Sequence, residues 1–202
     1  MTISLPNIPS DTHINSGVAD ASSTTPVITF RDAVLADADV VADMVNSAYR
    51  GDSSRQGWTT EADLLQGART NADEIRDQIA AAGSFILLCL QDQAIVGCVH
   101  LEQQQNAAYF GMFVVRPQLQ GKGIGKQFMQ QAESAVQQRW GVTKIWMTVI
   151  SVRHELLAYY ERRGYVRTGR LSPFPVEERQ EILLAGDLQF EELEKLLPHK
   201  SS

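Results

Sequence analysis

Apolar positions along this chain alternate between two periods, and the alternation predicts a succession of helices and strands. Val27 to Arg31 looks like a short first strand. From Ala36 to Tyr49 the apolar residues Val40, Val41, Met44, Val45 and Ala48 recur at helical spacing. Asp37 and Asp39 stand in the first turn of that segment, where they complement the helix dipole. A second helix is predicted from Asn71 to Ala82, with Ala72, Ile75, Ile79 and Ala82 on one face and Gly83 as its stop. Two apolar runs, Ser84 to Leu90 and Ala94 to Glu102, are joined by Gln91-Asp92-Gln93, a hairpin signature. Ala107 to Val115 adds a third strand, so an antiparallel meander is expected. Ile124, Phe128, Ala132, Ala135 and Val136 then form the buried stripe of a long helix that Gly141 closes. Lys144 to Ile150 suits a central strand, Val152 to Arg163 a helix ended by Gly164, and Tyr165 to Leu171 a further strand. Pro173 to Ala185 reads as irregular, with a helical turn suggested at Ile182-Leu183-Leu184. Asp187 to Lys195 reads as a last strand, although its glutamates also suit a helix.

Residues 1–26 are rich in Ser, Thr, Asp, Asn and Pro and predict a flexible tail; residues 27–198 carry the pattern of one folded domain. The net charge of -6 argues against a dedicated nucleic-acid or anionic-membrane binder, so neither partner is expected. No apolar run is long enough to span a bilayer, and no signal peptide is read, which makes the cytoplasm the default location. Cys89 and Cys98 lie in strand-like runs; in a tight hairpin they fall out of register, and free buried thiols are expected.

The candidate chemistry centres on the stretch after the third strand. Arg116-Pro117-Gln118-Leu119-Gln120-Gly121-Lys122-Gly123-Ile124-Gly125-Lys126 places three alternating glycines at a helix start, with basic residues around them. Unpaired N–H groups there can approach a phosphate where no Cβ intervenes. Lys126 is followed by Gln127, which fails the hydroxyl requirement of a nucleoside-triphosphate loop, and the glycine spacing fails that of a dinucleotide fingerprint.

Val115 to Gly125 resembles motif A of the GNAT N-acetyltransferase superfamily, and Ala158-Tyr159-Tyr160-Glu161-Arg162-Arg163-Gly164-Tyr165 resembles the family's later Tyr-Glu-Lys-x-Gly-Phe signature. The order of elements agrees from about Val27 to Leu197. The resemblance implies an α+β fold, an α/β sandwich with a mixed, mostly antiparallel sheet of about seven strands flanked by helices. Two strands, near 107–115 and 144–150, should splay apart in parallel and receive acetyl-CoA as co-substrate. By analogy the backbone of Phe113, Val114 and Val115 pairs with the pantetheine arm. The N–H groups of Gln120, Gly121, Lys122, Gly123, Ile124, Gly125 and Lys126 hold the pyrophosphate. Ser151 occupies the place of a frequent family asparagine that also contacts the donor.

The implied reaction is attack of a neutral amine on a thioester, with a small-molecule primary amine as the first reading of the acceptor. The rival readings are a protein N-terminus or lysine, and a non-catalytic acyl-CoA sensor. Tyr160 matches the family's general acid, a phenol that donates a proton without first being charged; Tyr159, one residue away, should point elsewhere. The base stays open among Glu61, His100 and Glu102, the last two sharing a strand face by alternation. Trp58 and Glu61 belong to a loop that reads as substrate-facing, and Glu177, Glu178 and Glu181 form an acidic patch suited to a cationic acceptor. No residues have the spacing of a metal site. A homodimer through the C-terminal strands would follow only by analogy.

Overall fold

The structure is a computed structural model that describes residues 26–50, 54–55, 57, 60–175, 182–183 and 186–198. The expected tail, Trp58, and the acidic patch of Glu177, Glu178 and Glu181 lie outside the described residues. Strands β1 (Ile28–Asp32), β3 (Ser84–Gln91), β4 (Ala94–Gln104), β5 (Ala107–Val115), β6 (Lys144–Ile150), β7 (Val166–Pro173) and β9 (Gln189–Leu196) build one seven-stranded sheet in the order β1-β3-β4-β5-β6-β9-β7. Strands β2 (Leu65–Gln66) and β8 (Ile182–Leu183) pair apart from it. The helices are α1 (Ala38–Tyr49), α2 (Ala72–Ala80), α3 (Ile124–Trp140) and α4 (His154–Glu161).

Strand alternation divides the core into two layers. On one face Leu87, Cys89, Val99, Leu101, Phe110, Phe113 and Val115 pack with Phe128, Met129, Ala132 and Val136 of α3 and with Leu157 and Tyr160 of α4. On the other, Ile86, Leu88, Leu90, Cys98 and Val114 pack with Val41, Met44, Val45 and Ala48 of α1 and Ile75 of α2. The antiparallel meander is as expected, and the Glu-rich C-terminal segment is a strand, paired antiparallel with β6 on one side and β7 on the other.

One expectation needs correction. Ile182–Leu183 is a short strand paired with Leu65–Gln66, because each needs an antiparallel partner for its backbone groups. The cysteines fall out of register as expected: Cys89 pairs with Gly97 and Cys98 with Leu88, one step apart, so their side chains enter opposite layers. Both are free and buried, and desolvation pushes the Cys89 thiol up to about 11 and the Cys98 thiol to about 12.

One feature of the sheet positions the cavities. β5 and β6 are parallel and pair only at Ala107–Lys144, Ala108–Ile145 and Tyr109–Trp146. Beyond Tyr109 they diverge, while β4 continues to pair with β5 and β9 with β6. Phe128 of α3 closes the layer beneath the diverging strand, fully buried and within 5.4 Å of the Phe113 ring and 5.6 Å of the Phe30 ring. Phe128→Ala is expected to lower unfolding stability by about 3–5 kcal/mol in denaturant titrations; a loss under about 1 kcal/mol would show that the layer collapses around the gap.

Candidate active site

The β5–β6 divergence opens onto three connected cavities. The first, about 340 Å³, lies between β5, the start of α3 and α4, and is lined by Phe113, Val115, the glycine loop, Tyr159, Tyr160, Arg162 and Arg163. The second, about 680 Å³, lies on the α2 side of the sheet and includes Arg69, Glu74, Gln78, His100 and Tyr109. A narrow third cavity sits in the divergence itself, between Phe110–Phe113 of β5 and Met147–Ile150 of β6. It shares Phe113, Leu156 and Tyr160 with the first cavity, and Arg69, Tyr109, Gly111 and Met112 with the second. A molecule in each outer cavity would therefore meet its neighbour at Met112 and Phe113.

The strand is deformed at that meeting point. Cys98 pairs with Val114 and His100 with Gly111, so Met112 and Phe113 together oppose Val99, a β-bulge. Met112 adopts a left-handed backbone (φ 51°), a costly state outside glycine and Asn. Neighbours hold it there: the buried Tyr49 hydroxyl donates to the Phe113 carbonyl at 3.1 Å, and the Cys98 thiol to the Met112 carbonyl at 3.7 Å. Sequence reading missed Tyr49, whose helical spacing made it indistinguishable from a core aromatic.

The glycine loop turns through Gly121 (φ 78°) and Gly123 (φ 84°), and Gly123 caps α3 with no side-chain bond and no acidic residue in the first turn. Some N–H groups of the expected phosphate-binding span already have a backbone acceptor. That of Gln120 donates to Pro117 O, and those of Lys126 and Gln127 to Gly123 O. The N–H groups of Gly121 through Gly125 have no backbone acceptor among the described residues. Gly125 also makes room for Tyr159, since a Cβ there would stand 2.8 Å from its hydroxyl oxygen. These features fit a diphosphate. The Gln120 side chain ties the loop to the end of β5 through Nε2 to Val115 O at 2.8 Å. Lys126 lines the cavity; Lys122 and Arg116 do not, and Arg116 donates to Ile95 O instead. Arg162 and Arg163 supply the other cations. Their position one helical turn past the tyrosines was the available signal, and no role had been read from it.

Tyr160 is 5% exposed and lines both the first and the narrow cavity. Its hydroxyl makes no hydrogen bond among the described residues, and burial, then the neighbouring Tyr49 and Tyr159, raise its pKa far above the phenol range. It is a neutral phenol at any working pH. Tyr159 does not point elsewhere: its ring faces the first cavity, with the Arg163 guanidinium 3.3 Å above it.

Of the remaining candidates, His100 lines the second cavity. Ser84 Oγ has one proton and donates it to Gln78 O at 2.7 Å, so towards His100 Nε2, 2.8 Å away, it accepts. The imidazole therefore carries its proton on Nε2 and keeps the Nδ1 lone pair. Burial lowers its pKa, opposed in part by Glu102. Glu102 itself faces Tyr109 and Ser84 in the sheet and does not line the cavity. Glu61 is clamped between Arg50 and Arg153, the latter at 3.2 Å, and all three side chains are nearly inaccessible. Ser151 donates its N–H to Gln189 O at 2.8 Å and does not line the first cavity. Among the described residues no cluster suits a metal ion, and no helix is long and apolar enough to cross a membrane.

Residues 52–174, more than half of the chain, match the model of the acetyltransferase (GNAT) domain. No curated protein matches the sequence significantly. The fold is similar to those of several solved proteins. One is the Escherichia coli ribosomal-protein-S18-alanine N-acetyltransferase (TM-score 0.63, 12% identity, covering 87% of this chain and 97% of that one). Another is a Vibrio cholerae spermidine N-acetyltransferase chimera (0.61, 18% identity, 84% and 95%). A third is the PaiA N-acetyltransferase of Thermoplasma acidophilum in complex with coenzyme A (0.61, 15% identity, 84% and 99%).

The Glu61 clamp generates a prediction that separates scaffold from base. Glu61→Gln leaves two buried guanidinium groups without their counter-charge and is expected to cost about 3–5 kcal/mol of unfolding stability. Unchanged stability with a lost acid limb in the rate profile would instead identify Glu61 as a proton acceptor.

Proposed function

Because the chain belongs to the GNAT acetyltransferase domain family, we propose that residues 27–198 form an N-acetyltransferase domain that moves an acetyl group from acetyl-CoA to a primary amine of a small molecule. The observation that carries this reading is the meeting of two cavities at one deformed point of β5. Both reactants can be bound at once, so attack is direct, in a ternary complex, with no acylated enzyme. An acceptor cavity of about 680 Å³ is the size of small-ligand sites.

The N–H groups of Gly121 to Gly125 would hold the pyrophosphate, with Lys126, Arg162 and Arg163 as counter-charge. The edge of β5 from Phe113 to Val115, left open where β6 turns away, would receive the pantetheine arm. Bound there, the donor supplies an acyl group activated as a thioester. The remaining chemistry belongs to the chain. An alkyl ammonium has a pKa of about 10.4, so the acceptor must lose a proton before it attacks. His100, held neutral by burial with Nδ1 available, takes that proton directly or through water. Tyr160 gives its proton to the departing sulfur from the junction of the two cavities.

Two measurements check these roles. Tyr160→Phe is expected to lower kcat by about a hundredfold or more with acetyl-CoA affinity unchanged in calorimetry; a change under threefold would remove Tyr160 from proton delivery. The base must be unprotonated, and the folded His100 pKa is depressed, so kcat/KM should rise with pH to a plateau through an apparent pKa below the ordinary histidine value of about 6.5. His100→Gln should abolish that limb; a limb that persists unchanged assigns it to another group.

A further inference from the structure

The acceptor cavity carries a cation that the fold does not use. Arg69 lines both the acceptor cavity and the junction. Its guanidinium lies 5.7 Å from the Tyr49 ring centroid and forms no ion pair among the described residues. The nearby charges are otherwise engaged. Arg50 and Arg153 clamp Glu61. Glu74, at the start of α2, accepts from Thr70 Oγ1 at 2.9 Å and Asn71 Nδ2 at 2.8 Å.

The Arg69 backbone is fixed from α1. Asn46 Oδ1 accepts from the N–H groups of Arg69 (2.7 Å) and Thr70 (3.2 Å), and Asn46 Nδ2 donates to Thr70 O at 2.9 Å. A side chain on a pinned backbone loses less entropy when it binds. An arginine presents a planar fork of donors that matches a carboxylate in two parallel hydrogen bonds. At the junction the described lining charges are Arg69, Arg153 and Glu61, and Arg153 already pairs with Glu61, which leaves Arg69 as the charge available to a ligand there; Glu74, in the wider acceptor cavity, is held by Thr70 and Asn71.

We infer that the acceptor is an amine that also bears a carboxylate, as an amino acid does, and that Arg69 holds that carboxylate while the amine lies at the junction. This assignment rests on the acetyl-transfer reading above. It runs opposite to the cationic acceptor that the acidic residues near 177–181 suggest from sequence.

The test measures thiol release from acetyl-CoA with the protein amino acids, their amides, the matching decarboxylated amines, and spermidine as a polycation. The preferred acceptor is expected among the carboxylates, with kcat/KM at least about tenfold above that of its own amide. Arg69→Ala should raise KM for that acceptor by roughly tenfold to a hundredfold with kcat little changed, and Arg69→Lys should recover part of the loss. Acetyl-CoA binding by calorimetry and the melting temperature serve as folding controls for both variants. If amides, simple amines or spermidine are the better substrates, or if Arg69→Ala leaves KM unchanged in a folded protein, the carboxylate assignment falls and acetyl transfer stands. If acetyl-CoA binds and no acceptor is turned over, the acetyl-transfer reading falls and takes this assignment with it.

Discussion

The structure depends on a break in backbone pairing. β5 and β6 begin as hydrogen-bonded parallel neighbours and separate after Tyr109. Each keeps its other partner, β4 or β9, so the sheet remains continuous on both sides. The cost is a row of strand groups without a sheet partner in the middle of a folded domain. Such groups are expensive to leave buried and unpaired. A ligand that brings its own amide groups into the gap satisfies them, which turns a defect in the sheet into a binding edge.

Neighbouring elements maintain the break. The left-handed Met112 and its bulge are held from the α1 side by Tyr49 and Cys98. Phe128 supports Phe113 from the α3 side. The Glu61 cluster ties the segment after α1 to Arg153 at the start of α4, so the helix that presents Tyr160 is fixed to the far side of the same gap. Charge is sorted along it. The first cavity collects Lys126, Arg162 and Arg163, and the second holds the imidazole of His100, whose pKa burial lowers, the Arg69 guanidinium and the Glu74 carboxylate. A narrow cavity joins the two, and on the proposed reading that is where a thioester and an amine meet.

Much of this was legible in the sequence because it depends on local pattern. The meander, α3 and the glycine turn follow from apolar spacing and from positions that require positive φ. Tyr160, singled out through its motif, lines the first and the narrow cavity. Features that depend on tertiary pairing were less legible. Ile182–Leu183 becomes a strand only because Leu65–Gln66 is beside it. Glu61 reads as a free carboxylate until Arg50 and Arg153, distant in sequence, close on it. Tyr159 precedes Tyr160 by one residue, yet the short helix and the wide cleft let both rings reach the first cavity. Arg69 stands just before the second predicted helix, outside any element read from the pattern, and only its contacts with Asn46 and Tyr49 mark it as placed.

The central claim is that the donor lies in the β5–β6 gap with its sulfur beside Tyr160. A crystal structure of the protein with acetyl-CoA tests it most directly. The account predicts the pyrophosphate on the N–H groups of Gly121 to Gly125, the pantetheine arm along Phe113 to Val115, and the Tyr160 hydroxyl within hydrogen-bonding distance of the sulfur. A donor bound outside the gap, or a Tyr160 hydroxyl turned away from the sulfur and bonded to the protein, would contradict it.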